Sequence, residues 1–261
     1  MNGPLIDVNV HLSRWPCRRA PDDETPRLVD RLRRHGVVEA WAGSLDGLLH
    51  KDIAAVNARL AEECRAQTAV RLVPFGTVNP MLPDWQEDLR RCAEAHRMPG
   101  IRLFPNYHGY DLEHPEFAKL IRLAAERRLI VTLALLMEDE RMMHPLLRVA
   151  PVDPAPLADR VAQTPGLRLV LLNALRSLRG APLIKLLGVG DISVEIATLE
   201  GVGGVGNLLA DIDVGRALFG SHAPIFYFES ALLKLKESSL NETELSAMRH
   251  ENARRLLPIE T

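Results

Sequence analysis

Short apolar runs alternate along the chain with longer stretches whose apolar positions recur every three or four residues. Runs of strand character lie at Ile6 to His11, Val37 to Ala42, Leu72 to Val78, Ile101 to Phe104, Leu129 to Leu136, Leu167 to Leu172, Ile192 to Thr198 and Ala217 to Phe219. Between most of them the period changes to that of an amphipathic helix. The first such helix has Thr25 as N-cap, Pro26 in its first turn and Gly36 at its stop. The second runs from Lys51 to Ala66 with Ile53, Val56, Leu60 and Ala61 on one face, and Pro83 to Arg97, Pro115 to Arg127 and Pro154 to Gln163 follow the same pattern. Strands that alternate with helices predict a parallel sheet with helical crossovers. Eight of them predict an α/β fold closed into a (β/α)8 TIM barrel. No Ser/Gly-rich or low-complexity linker divides the chain, so one domain over residues 1–261 is the expectation.

The first strand carries an anomaly. In a regular strand Asp7, Asn9 and His11 share one face, among Ile6, Val8, Val10 and Leu12. A buried face made of Asp, Asn and His needs polar partners. The same pattern also describes a half-exposed strand whose polar face meets water. In a barrel the site lies where strands end, and the residues leaving those ends are polar: Asn9 and His11, Ser44 and Asp46, Asn79, Asn106 to His108, Glu138, Asn173, Glu195 and Thr198, Ser221 and His222.

Composition narrows the function classes. A hydrophobic share of 47% supplies a sizeable core, and 32 Lys+Arg against 34 Asp+Glu leave a net charge of −2. Such a balance gives no field for nucleic acid or an anionic membrane. Three widely spaced cysteines, Cys17, Cys64 and Cys92, form no metal or redox motif and read as reduced thiols of a cytoplasmic protein. The chain begins with no signal-peptide pattern and has no apolar run long enough to span a membrane. A small-molecule substrate is the partner this leaves.

Several side chains are candidates for handling it. Two imidazoles, His11 and His222, oriented by Asn9, Asn173 and Asp7, suit general acid/base chemistry near neutral pH. A satisfied polar core explains the same residues. Asn106, Tyr107, His108 and Tyr110 follow the fourth strand, where they suit substrate orientation with His108 as a second acid/base group, or plain loop packing. Arg14, Arg18 and Arg19 suit a carboxylate, though solvated loop arginines are common. Glu195 needs a partner if it points into the barrel, and a one-residue change of register would put Thr198 there instead. The run from Gly201 to Gly206 contains a formal GxGxxG, and Gly203 and Gly204 suit an anion cradle or a flexible lid better than a dinucleotide site.

As a set, Ile-Asp-x-Asn-x-His at strand one, Gly100-Ile101-Arg102-Leu103-Phe104-Pro105-Asn106 at strand four, Leu218-Phe219-Gly220-Ser221-His222-Ala223-Pro224 at strand eight and the closing Asn252-Ala253-Arg254-Arg255-Leu256-Leu257 carry a resemblance. The chain resembles the amidohydrolase superfamily, in the amidohydrolase-2 branch that contains aminocarboxymuconate-semialdehyde decarboxylase. The resemblance covers nearly the whole chain and implies the barrel fold, hydrolysis or non-oxidative decarboxylation of a small anionic molecule, and homodimers as a common state among relatives. It implies metal ligands as well: two histidines on strand one, histidines at strands five and six, and an aspartate at strand eight. Here those positions hold Asn9 and His11, Leu133 to Leu135, Asn173, and His222. Neutral amides are poor ligands for zinc. The remaining candidate metal ligands for zinc or manganese are His11 and His222, with Asp7 or Glu195 as a third. The alternative is a non-catalytic relative that binds a small molecule in the barrel after losing the metal site.

Overall fold

The computed structural model describes residues 3–258. Its strands are β1 (Leu5–Leu12), β2 (Val37–Ser44), β3 (Arg71–Thr77), β4 (Gly100–Leu103), β5 (Ile130–Ala134), β6 (Arg168–Leu172), β7 (Asp191–Glu195) and β8 (Ala217–Leu218). They lie side by side in chain order, every pair parallel. The Val8 N–H donates to the Phe219 carbonyl at 3.0 Å and the His11 N–H to the Ala223 carbonyl at 2.9 Å, which joins the last strand to the first. The predicted TIM barrel is therefore the observed fold. Crossovers contain the helices Thr25–Arg34, Ile53–Ala66, Trp85–Arg90, Pro115–Glu126, Leu157–Ala162, Gly180–Leu187 and Gly204–Asp211. No helix among the described residues is long and apolar enough to cross a membrane.

Alternation along each strand divides the core into two layers. Outward positions such as Leu5, Ile101, Leu103, Val131 and Val194 pack under helix residues Leu28, Leu60 and Phe117. Inward positions Ile6, Val8, Trp41, Phe75, Ile130, Val170 and Leu218 fill the barrel, with Trp41 stacked on Phe75 at 4.9 Å between ring centroids. At the lower end of the barrel the buried Glu39 carboxylate accepts from Arg71 at 2.8 Å, Arg254 at 2.6 Å and the Trp41 indole N–H at 3.1 Å.

β1 departs from simple alternation. Asp7 pairs with Ala40 and Val10 with Ala42, so three steps of β1 face two of β2. This is a bulge, and a bulge exchanges the faces of a strand. Ile6 and Val8 belong to the inner layer, Val10 and Leu12 to the outer one. The expectation that Asp7, Asn9 and His11 share a face is corrected accordingly: Asn9 and His11 turn inward, and Asp7 serves β8.

Other boundaries shift for local reasons. The first helix begins at Thr25 with Glu24 at its N-cap, because the Thr25 hydroxyl donates to Glu63 instead of capping. The second begins at Ile53, where the Asp52 carboxylate accepts from the Ala55 N–H at 3.0 Å. The stretch 83–97 divides into the helix Trp85–Arg90 and a π-helical turn Arg91–Ala95. Residues 106–108, expected as a loop, complete the helical turn Pro105–His108, which Gly109 ends at φ 72°. After β5 the chain runs from 135 to 156 with one 3-10 turn, Glu140–Met142, before its helix. That long connection lies over the mouth.

Candidate active site

The inner face near the strand ends holds a polar cluster drawn from five strands or their ends: Asn9 and His11, Arg102, Asn173, Glu195, and His222. All are fully or almost fully buried. Asn173 and His222 take left-handed backbone conformations, φ 54° and 59°, so each turns its side chain back over the barrel end. Non-glycine residues held there are uncommon and concentrate at functional sites.

One chain of hydrogen bonds fixes the protons of both imidazoles. His222 Nε2 lies 2.8 Å from the Met137 carbonyl oxygen, which accepts, so Nε2 carries the hydrogen. In the neutral ring His222 Nδ1 is then the acceptor. His11 Nε2 donates to it at 3.1 Å and shares the same proton with Asn9 Oδ1 at 3.1 Å. His11 Nδ1 accepts from Arg102 Nη1 at 3.4 Å. The two rings meet edge to face, 4.9 Å apart. Around them the Asn9 amide donates to Asn173 Oδ1 at 3.0 Å and to Glu195 Oε1 at 3.2 Å, and the Asn173 amide donates to the Leu136 carbonyl at 2.7 Å.

Arg102 is the member that the strand pattern left unassigned. It lies on β4 between outward Ile101 and Leu103, and its guanidinium fills the barrel interior. Nη1 donates to the Val10 carbonyl at 2.8 Å, and Nη2 to Trp41 at 3.0 Å and Val8 at 3.3 Å. Gly43 makes the room, since a Cβ there would lie 2.7 Å from Arg102 Cδ. The sequence signal was available: one arginine in a four-residue apolar strand, with a glycine at the end of β2.

Burial and this fixed cation set the ionisation. Burial, Arg102 and His222 together hold His11 well below the usual imidazole range, and burial holds His222 down to about 4. Both rings are neutral at pH 7. Burial pushes the Glu195 carboxyl up, although it accepts from the Asn173 N–H at 2.6 Å and the Ala197 N–H at 2.5 Å. Burial likewise pushes Asp7 up to about 7. Its carboxylate accepts from the Ser221 hydroxyl at 2.5 Å and from the Ser221 and Asn9 N–H groups at 3.0 Å each, so Asp7 supports the His222 turn from behind.

Not every candidate joins this cluster. His108 Nε2 donates to the Gly47 carbonyl at 2.9 Å, and Tyr110 packs on Phe117 in the outer layer. Asn106 donates to the Ala150 carbonyl at 3.0 Å and so supports the long connection, and Tyr107 packs edge-on against Trp15 of the loop after β1. Arg14 is exposed beside Glu24; its neighbour Arg18 is the arginine that reaches over the mouth, onto Glu138 at 3.0 Å. Gly203 caps the helix that Gly204 begins, and Val202 stands out in solvent. Glu195, not Thr198, is the inward group of β7 that meets Asn9 and Asn173.

A divalent ion does not fit this donor set. Among the described residues no three His, Cys, Asp or Glu side chains are grouped to hold one. The two imidazoles are bonded to each other, the amides are weak donors, and Arg102 sets a fixed cation against His11 Nδ1 that repels a second one.

The comparisons with known proteins agree on the fold. A family model described as Amidohydrolase matches residues 6–259. No curated protein sequence matches the chain. Among solved structures, 2,6-dihydroxybenzoate decarboxylase from Rhizobium superposes with TM-score 0.72 at 15% identity, covering 98% of each chain. A dihydroxybenzoic acid decarboxylase from Polaromonas sp. JS666, with bound manganese and the inhibitor 2-nitroresorcinol, gives 0.71 at 15%, covering 98% of this chain and 97% of the other. 5-Carboxyvanillate decarboxylase from Sphingomonas paucimobilis gives 0.73 at 13%, covering 98% and 99%. At these identities the likeness is one of fold.

Proposed function

The chain belongs to the amidohydrolase family, and from that membership we propose an enzyme of hydrolase or lyase type that protonates a small anionic molecule at the barrel mouth. Non-oxidative decarboxylation of a carboxylic acid or hydrolysis of a C–N, C–O or C–C bond both need such a proton. The observation that carries the reading is the tautomer-fixed pair, His11 to His222, ending in an N–H aimed at the mouth. When the Met137 carbonyl gives way to an anionic oxygen, His222 Nε2 donates to it. His222 Nε2 then gives its proton to the carbon left by carbon dioxide, or to a leaving group, while His222 Nδ1 takes the proton of His11 Nε2, and the His11 ring beside Arg102 recovers a proton from water after the product leaves. Arg102 adds positive potential that favours an anion without leaving its carbonyl partners.

Manganese bound in the Polaromonas relative supports divalent-metal chemistry among proteins of this fold. The residues of this chain do not fit one, and no step here runs through it. Three free thiols support a cytoplasmic setting.

The test is turnover by chelator-treated protein on hydroxybenzoates, dicarboxylates and simple amides and esters. Turnover that survives chelation and falls 10²- to 10⁴-fold in His222→Asn is the expected result. Activity that needs added manganese would overturn it. One observation favours a second reading, a barrel that binds without catalysis: every member of the cluster already has a partner inside the protein. Ligand-induced stabilisation without turnover on any of these compounds would select it.

A further inference from the structure

Four consecutive residues of the connection after β5 each engage a different group at the mouth. The Leu136 carbonyl accepts from Asn173 Nδ2 at 2.7 Å and the Met137 carbonyl from His222 Nε2 at 2.8 Å. The Glu138 carboxylate, 4% exposed, accepts from Arg18 Nε at 3.1 Å. The Asp139 carboxylate accepts from Arg176 at 2.6 Å and from Arg141 at 2.8 Å. In order along the chain, the segment gives two neutral oxygens to the polar cluster and two anionic oxygens to arginines on the loops after β1 and β6.

A connecting loop has no need of this arrangement. Burying a carboxylate such as Glu138 costs solvation that a loop on a barrel rim would ordinarily keep. Further along the connection Met142 and Leu146 stand in solvent, 60% and 90% exposed, while Met143 is buried and the Ala150 carbonyl accepts from Asn106. Beside the segment is a cavity of about 430 Å³ lined by Leu136, Asp139, Arg141, Pro151 and Arg176, which gives it room to move.

We infer that residues 136–139 are an intramolecular stand-in for the substrate, and that Arg18 and Arg176 select it as a small dianion. The inference rests on the proposed function of the same site and deepens it. Substrate binding then competes with the segment, and observed affinity is the intrinsic affinity reduced by the fraction of molecules in which the segment is displaced. Arg18 and Arg176 exchange one carboxylate partner for another, each presenting its planar fork.

Isothermal titration with isophthalate, a dicarboxylate, and benzoate, a monocarboxylate, tests this. The double variant Glu138→Gln/Asp139→Asn should bind isophthalate at least tenfold more tightly than the unaltered protein, with a smaller gain for benzoate. Adding Arg18→Gln or Arg176→Gln to that background should remove the gain, because the segment no longer competes and the arginines act on the ligand directly. Hydrogen exchange across 136–150 should quicken when isophthalate binds the unaltered protein. A purely structural role predicts no tighter binding in the double variant, and that result overturns the inference, as does a gain that survives loss of both arginines. Imidazole NMR signals of His222 separate the two readings. If isophthalate moves them while the affinities ignore residues 138 and 139, the stand-in fails and the site stands. If no variant binds and no signal moves, both fail.

Discussion

Two of the charges that the barrel buries, Glu39 at one end and Arg102 near the other, are handled in opposite ways. Glu39 at the lower end is met directly by Arg71 and Arg254, each from an exposed or half-exposed position, and by the Trp41 indole. Arg102 near the upper end has no carboxylate within ion-pair distance among the described residues. Three backbone carbonyls and the His11 ring surround it instead. Trp41 touches both, through its side chain below and its carbonyl above. A charge neutralised by its own ion pair is spent on stability, whereas a charge held by dipoles still acts on its neighbours. That division matches the barrel's usual assignment of stability to one end and chemistry to the other.

The largest test removes the upper charge. Arg102→Met leaves the Val8, Val10 and Trp41 carbonyls without their donor in a closed interior, and the expected loss is about 5 kcal/mol in urea unfolding. Arg102→Lys keeps the charge and loses the fork. It should retain a folded protein in which the His11 ring takes up a proton at higher pH, since the cation that opposes protonation is less closely held. At the lower end Glu39→Gln should cost roughly 3–4 kcal/mol. Its arginines reach solvent, and the His11 and His222 titrations should stay where they are. If Glu39→Gln moves those titrations as far as Arg102→Lys does, the two ends are coupled and the comparison fails.

The two ends were unequally legible in the sequence. Eight apolar runs separated by amphipathic stretches suffice for a barrel, because period and order are properties of the chain itself. The strand-end polar residues His11, Asn173 and His222 could be picked out for the same reason. The bulge in β1 could not, since it arises from how β1 pairs with β2, and with it went the position of Asp7. Arg102 stood in the open as part of a motif, but its inward direction depends on the register of a strand only four residues long. Glu138 could be picked out only as one polar strand-end residue among several, and Asp139 not at all. Their partners Arg18 and Arg176 are far off in sequence, and only the fold brings them to the mouth.

A smaller effect appears on acidification. The ordinary histidine value is about 6.5 and His222 is held down to about 4. Between those limits the unfolded chain binds a proton that the folded chain refuses, so stability falls as pH falls, by roughly 3 kcal/mol over the window. Asp7 acts in the opposite sense, because its raised value keeps the folded chain protonated as pH rises from about 4 to about 7. The two trends offset each other in the unaltered protein. The difference in urea stability between it and His222→Asn therefore isolates the histidine, and should narrow as pH drops from 6.5 to 4. A constant difference would mean that the ring is not held neutral.

The smallest expected effect separates two neighbouring arginines. Arg14 is 57% exposed and lies 3.4 Å from Glu24, itself 44% exposed, so water and salt screen the pair. Arg14→Gln should change stability by about 0.3 kcal/mol or less and leave isophthalate affinity unaltered in the Glu138→Gln/Asp139→Asn background. Arg18 follows four residues later on the same loop, yet its partner is buried, so water screens the interaction less on the side that faces the mouth. In that background Arg18→Gln should lose the tenfold gain that Arg14→Gln keeps. Equal losses from both would mean that the loop attracts anions through its overall charge, and the difference between a screened rim and a selective mouth would disappear.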